Sequence, residues 1–517
     1  MSESVTTTVT PDPSTALVPT TLSDVERALV VRARAWLDDH REEYVADLLA
    51  WVRVPSVADA TLAAPGAPFG PAVAEVIDLV ERRARELGFA THPHDGFALS
   101  VTSGDGEEEI GLVSHLDVVP AGEGWTHEPY EPFERDGVVV GRGSADNKGA
   151  ALIDLYLLRA FRDLEIPLRH SLRIIYGGAE EVGMPDIVHY VEHAPVPRQS
   201  LITDGPFPVN HAQKGGLNIS LHVPTGPVLA HLRAGVAENA VPATAELTLP
   251  GVPTSEVEEA RAGIREEWRD LVAVTTTPDG GAHVHARGRS GHAAFPDRTL
   301  NAILVLAEVL VRVPSLDAAD LAAARALATT LATPYGDGSG LATSDDVTGP
   351  LTQNGGLVEP VDGGVTLALD IRYPVASDGG DLTARLAALA AGWGGHVVAV
   401  RDAPPFHVPE DDALVRLLQG TFNQVLDVDE TPFAMGGGTH ARHLPRSITF
   451  GPGFGRNPDL VAQLGLPARP SFVSEHAGPH GPDEYASIDG LFRAFEVYVV
   501  ALVRLDAFLA DGGSERG

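Results

Sequence analysis

The stretch GLVSHLDVVPAG, residues 111–122, reads as a core strand with two polar residues set into it. Gly111, Leu112 and Val113 lead in, and Val118 and Val119 lead out. Strand side chains alternate between faces, so His115 and Asp117 share one. Burying an imidazole and a carboxylate without partners is costly, so something at the end of this strand has to compensate them.

Working outward, two more apolar runs end in the same kind of residue. SLRIIYGG (171–178) runs into Ala179, Glu180 and Glu181, and SLIT (200–203) runs into Asp204. Between them, GRGSADNKGA (141–150) puts Asp146 in a glycine-rich loop just before a helical pattern. Strands are expected near 109–119, 171–177 and 199–203, and helices near 72–87, 148–164 and 186–193. Alternation of this kind predicts an α/β fold, a mostly parallel sheet covered by helices. Ligands bind such sheets beyond the carboxyl ends of the strands, which is where these side chains fall.

Taken singly, each residue has a plainer reading. A lone strand histidine is ordinarily a satisfied core residue. An Asp before a helix is ordinarily a cap. A Glu pair means little among 71 acidic residues. Together they converge on one sheet edge, and a divalent cation compensates several buried carboxylates at once. His115 would bind through one ring nitrogen, with Asp117 holding the other or orienting the cluster. One His with three carboxylates suits a two-metal site better than a closed structural one. Of the adjacent glutamates, one could bind metal while the other acts as general base for water.

Composition narrows the field further. The 517 residues are enough for more than one domain, and the formal net charge of −34 opposes nucleic-acid and anionic-membrane partners. There is no cysteine, so a metal has only His, Asp and Glu to hold it, a donor set suited to zinc, manganese or cobalt. Residues 1–21, rich in Thr, Ser and Pro, read as a disordered tail and not as a signal peptide. No 18-residue apolar run predicts a membrane span, and the cytoplasm is the expected location. Among 37 basic residues only Lys148 and Lys214 are lysines, which suggests positions wanting a compact charge.

Ser23 to Glu26 forms a capping box that opens a helical pattern running to about Val52. A catalytic domain is expected over 22–212 and again over 402–511. An inserted α+β domain, with helices near 254–271, 299–313 and 382–393 and a strand at 365–373, occupies 213–401. The stretch 453–478 reads as a long loop.

The chain resembles the co-catalytic di-zinc peptidases and deacylases that include dipeptidase V, acetylornithine deacetylase and succinyl-diaminopimelate desuccinylase. It is most similar to the dipeptidase V branch. SHLDVVPAGEGW, GRGSADNKGA, GGAEEVGMPDI, TDGPFPVNHAQKG, ENAVP, GHAAFPDRTLNA, LDIRYP, GGGTHAR and HGPDE carry the likeness, in that order, over about residues 40–505. The resemblance implies two Zn²⁺ per chain. His115 and Asp204 would hold one and Glu181 and His480 the other, with Asp146 bridging and followed by a cis peptide. Glu180 would be the general base and Asp117 the group orienting His115. In a lid-like second domain His292 would stabilise the oxyanion, and Asn239 and Arg372 would hold the substrate, Arg372 through its carboxylate. Gly437 and Thr439 would line the same pocket. Residue pattern alone does not choose His480 over His440, His443 or His476; the HGPDE match favours it, with His440 second. Ala179 and His440 depart from the usual family residues, Asp before the Glu pair and Asp or Tyr after GGT. The expected function is metal-dependent hydrolysis of an amide bond in a dipeptide, or alternatively an N-acyl amino acid. A monomer and a homodimer are both compatible with the resemblance.

Overall fold

A computed structural model describes residues 21–291, 293 and 296–513. The chain divides into two units. One holds the described residues up to His211, with Val408–Phe433 and those from Thr439 onward; the other holds Ala212–His407 with Ala434–Gly438.

At the centre of the first unit lie four parallel strands, in the order Ser171–Gly177, Glu109–His115, Gln199–Ile202 and Ser447–Phe450. Parallel neighbours need crossovers, and the buried helix Gly149–Asp163 and the half-buried helix Pro185–His193 belong to them. The sheet continues antiparallel at both sides, through Ala98–Ser103 and Ala90–His94 at one and Val209–Gln213 at the other. Register positions the site: His115 pairs with Gly177, so two strands finish level, and Val113 pairs with Ile202, so the third finishes two residues earlier. The residues that follow, Glu180, Glu181 and Asp204, therefore emerge beside His115.

Several boundaries differ from the sequence reading. The first strand ends at His115 and not near 119, because Leu116 donates its N–H to Gly177 O and Val118 to Ser56 O. The expected helix to Val52 is two helices, Asp24–Asp39 and Arg41–Val52. His40 breaks it, its ring stacked on Trp36 at 4.2 Å and its Nδ1 2.6 Å from the Trp36 carbonyl oxygen. The capping box is present, Ser23 Oγ accepting from Glu26 N and Glu26 Oε2 from Ser23 N. The stretch 453–478 contains the short helix Pro458–Gln463, capped by Asn457, whose side chain accepts from Asp459 N and Leu460 N.

The second unit is a sheet of eight antiparallel strands, in the order Val272–Thr276, Ala282–Arg287, Thr244–Leu249, Arg233–Ala234, Thr352–Val361, Gly364–Tyr373, Gly215–Pro224 and His396–Ala403. Its apolar face packs on helices that include Ala302–Leu310 and Ala318–Thr330. The helix expected over 254–271 stops at Ala262 before Gly263, and a 3₁₀ turn, Glu266–Leu271, follows. Among the described residues no helix is long and apolar enough to cross a membrane.

Candidate metal centre

His115 closes its strand fully buried. Its Nδ1 lies 3.0 Å from the Asp117 carbonyl oxygen and 3.3 Å from Asp117 Oδ1. Those contacts favour a proton on Nδ1, which would leave Nε2 to face a cation. Nε2 faces Asp146 Oδ1 at 3.0 Å and Asp204 Oδ1 at 3.7 Å.

Asp146 is the hinge of the arrangement. Its Oδ1 faces His115, while Oδ2 lies 3.3 Å from His480 Nε2. The same His480 nitrogen is 3.0 Å from Glu181 Oε1. The Asp146–Asn147 peptide is cis, and the Asn147 amide donates to Asp204 Oδ1 at 2.9 Å and to Thr203 O at 3.0 Å. His480 stands in a turn at φ 61°.

Among the described residues, potential ligand atoms gather into three groups, each with all its atoms within 4.8 Å of one another. These are His115 with Asp146 and Asp204, Asp146 with Glu181 and His480, and His115 with Glu180 and Glu181. The first two share Asp146 and together use five side chains.

The electrostatics follow from carboxylates crowded out of water. Burial, then the charges of Asp204, Glu181 and Asp117, push the Glu180 carboxyl well above the usual range. Glu181 is pushed up to about 7, first by burial and then by Asp146. Hydrogen bonds to Asp146 and Glu181 lift His480 to about 11. For His115, burial pulls downward, but Asp204 and the contacts with Asp117 and Asp146 win and raise it. Asp146 runs the other way: burial would raise it, and the contacts with His115 and His480 outweigh that and lower it.

Buried carboxylates behind these groups hold the loops. Asp117 accepts the N–H groups of Glu180 and Glu181 at 3.0 and 3.1 Å. Asp186 accepts that of Ala179 at 3.0 Å and lies 3.1 Å from His440 Nε2. His440, the second choice for the C-terminal ligand, is thus a buried partner of Asp186 and belongs to none of the three groups; its ring centroid is 6.4 Å from that of His115. Lys148 is buried, donates Nζ to Val54 O at 2.8 Å, and is held down to about 7 by burial.

The other candidates belong to none of the three groups. Thr439 is buried in the first unit, within 2.9 Å of Thr449 Oγ1. In the second unit Arg372 grips Asp370 through two contacts of 2.7 Å, Asn239 is exposed with its carbonyl accepting from Ala293 N, and Gly437 is exposed. His292 lies outside the described residues. Sequence reasoning missed Arg142, Asn147, Asp154, Asp186 and Glu484, of which all but Asp154 stand inside quoted motifs.

A model of peptidase family M20/M25/M40 matches residues 111–504. "Putative dipeptidase YtjP" of Bacillus subtilis is 31% identical over 484 residues, covering 90% of this chain and 97% of that protein. "Putative dipeptidase SAB1611c" of Staphylococcus aureus is 26% identical over 481 residues, covering 91% and 98%. Among solved structures, human carnosine dipeptidase 1 superposes with a TM-score of 0.53 at 15% identity, over 93% of this chain and 99% of that one. The di-peptidase Dug1p of Saccharomyces cerevisiae does so with a TM-score of 0.54 at 13% identity, over 92% and 98%.

Proposed function

Because the chain belongs to peptidase family M20/M25/M40, we propose that it hydrolyses the amide bond of dipeptides with two divalent cations, zinc foremost. The observation that carries the reading is Asp146, whose two oxygens face imidazoles from positions 115 and 480. The donor set fits the cations: five His, Asp and Glu side chains in two groups that share one carboxylate, with no thiolate. His115, Asp204 and Asp146 would hold one cation, and Glu181, His480 and Asp146 the other. When bound, the cations would supply Lewis acidity, polarising the scissile carbonyl and acidifying water.

The chain's own residues supply the rest. The Asp117 carbonyl sets the His115 tautomer, and the Asp117 carboxylate holds the Glu180–Glu181 turn. Glu180 is left as the base that accepts a proton from the attacking water and passes it to the leaving amine. Arg372 is the proposed recipient of the substrate's free carboxylate, and His292 the proposed oxyanion donor. The names of the two relatives support a dipeptidase over an N-acyl-amino-acid deacylase, and the ordered motifs support a place nearest the dipeptidase V branch.

The purified protein, assayed with unblocked dipeptides beside N-acetyl and N-succinyl amino acids, should cleave the dipeptides and carry about two metal ions per chain by elemental analysis. Chelation should abolish turnover and zinc should restore it. Cleavage of the acyl series alone would overturn the substrate class, and full turnover after chelation would overturn the metal reading.

A further inference from the structure

Arg142 and Glu484 are buried charges, 1% and 0% exposed, and neither belongs to the candidate ligand set. They meet at 2.7 Å between Arg142 Nη1 and Glu484 Oε2. Glu484 has no capacity left over. Its Oε2 also accepts Gly143 N at 2.9 Å, and its Oε1 accepts both Ala145 N and Asp146 N at 2.9 Å. One carboxylate therefore fixes the loop that delivers Asp146.

The guanidinium does the complementary work. Arg142 Nη2 donates to Ala121 O at 3.0 Å and to His480 O at 3.4 Å. Ala121 belongs to the segment after His115 and Asp117. Trp125 lies under the guanidinium at 5.1 Å and donates its indole N–H to the same Ala121 carbonyl at 2.7 Å. A single ion pair thus joins three segments of the first unit: the one after His115, the loop of Asp146, and the turn of His480.

Buried ion pairs are weak stabilisers, since desolvation offsets much of their attraction, and apolar replacements are often as stable. Stability alone therefore gives little reason for this pair, whereas its other side-chain hydrogen bonds run to the segment after His115, the Asp146 loop and the His480 turn.

We infer that Arg142 and Glu484 are positioning residues that set the distance between Asp146 and His480, and so the affinity for the second cation. The inference rests on the two-cation reading above. The two residues divide the work: Arg142 acts on the His480 side, and Glu484 acts on Asp146, which both cations share.

The test is titration of the full-length protein with Zn²⁺ against a chromophoric chelator, with circular dichroism as a check on folding. Arg142→Lys keeps a charge opposite Glu484, but one ammonium cannot span Glu484, Ala121 O and His480 O together. It should keep one cation at wild-type affinity and weaken the other by roughly 10–100-fold, the usual range for groups that orient ligands. Excess Zn²⁺ should restore its turnover. Glu484→Asp draws the carboxylate back from Ala145 N and Asp146 N, and should weaken both cations. Two cations at wild-type affinity in either folded variant, or equal weakening of both in Arg142→Lys, would overturn the inference. Should Arg142→Lys not fold, the Glu484→Asp titration decides alone. A wild-type protein that binds no Zn²⁺ would sink the two-cation reading instead, so the two failures are distinct.

Discussion

Asp154 lies on the helix Gly149–Asp163, among apolar neighbours in sequence, and is completely buried. Ser114 Oγ and Thr203 Oγ1 both donate to its Oδ2, at 2.9 and 2.7 Å, while Oδ1 meets no donor among the described residues. That pattern suits a neutral acid, with the acceptor oxygen doubly bonded to hydroxyls and the proton on the other. Burial is the main cause, outweighing the two hydroxyl bonds, and the group is pushed up to about 8. Since the native value is raised, the neutral acid contributes its full stability below the unfolded value of 3.8, and that contribution is lost as pH rises towards about 8. From pH 5 to 8 the loss is about 4 kcal/mol, at about 1.36 kcal/mol per pH unit.

Asp154→Asn removes the titration and keeps an oxygen for both hydroxyls. Urea unfolding of the two proteins at equal metal loading, followed by tryptophan fluorescence, isolates the difference; Trp51 is buried against Tyr176 and reports on this unit. The variant should gain about 4 kcal/mol on the wild type between pH 5 and 8, other titrating groups cancelling in the comparison. Parallel stability curves across that range would show that Asp154 ionises normally, and would refute the argument from its burial.

Glu180→Ala should keep both metals and the fold while kcat falls by roughly 10²–10⁴-fold; normal turnover would remove Glu180 from the role of base. Asp117→Asn leaves one oxygen to accept two backbone N–H groups that now have two, and should cost roughly 10–100-fold in metal affinity, read by chelator competition. Arg372→Ala should raise KM with metal content unchanged, and should also destabilise the protein by leaving Asp370, 2% exposed, without its partner. Adding Asp370→Asn should restore the thermal midpoint but not KM; recovery of both would make Arg372 structural only.

The candidate site was legible in unequal parts, for physical reasons. Strand ends can be read because an apolar run announces a buried strand, and polar residues at its close have to be compensated. His115, Glu180, Glu181 and Asp204 all became visible that way. His480 sits in a turn with no periodic pattern, so only its motif pointed to it. The break at His40 depends on a ring stacking on Trp36 and bonding its carbonyl, and no Gly or Pro marks it. Glu484 stands inside HGPDE, but in a chain of net charge −34 an acid next to a turn carries no pattern that marks it as buried. Asp154 could have been found: a lone acid in AALIDLYLL, a stretch apolar all round, has to be buried and satisfied.

Three buried carboxylates, Asp117, Asp186 and Glu484, share one task, and the last two escaped the sequence reading. Loops that bring ligands to a sheet edge expose backbone N–H groups that no strand or helix pairs, and buried ones need acceptors. Asp117 takes those of Glu180 and Glu181, Asp186 those of Ala179 and Ile187, and Glu484 those of Gly143, Ala145 and Asp146. Each of these carboxylates is completely buried and aims at backbone next to a candidate ligand or base. Neutralising one would therefore release a loop and displace a side chain of the cluster together. Sequence pattern registers neither effect, because both depend on which backbone groups a side chain meets and not on its spacing along the chain.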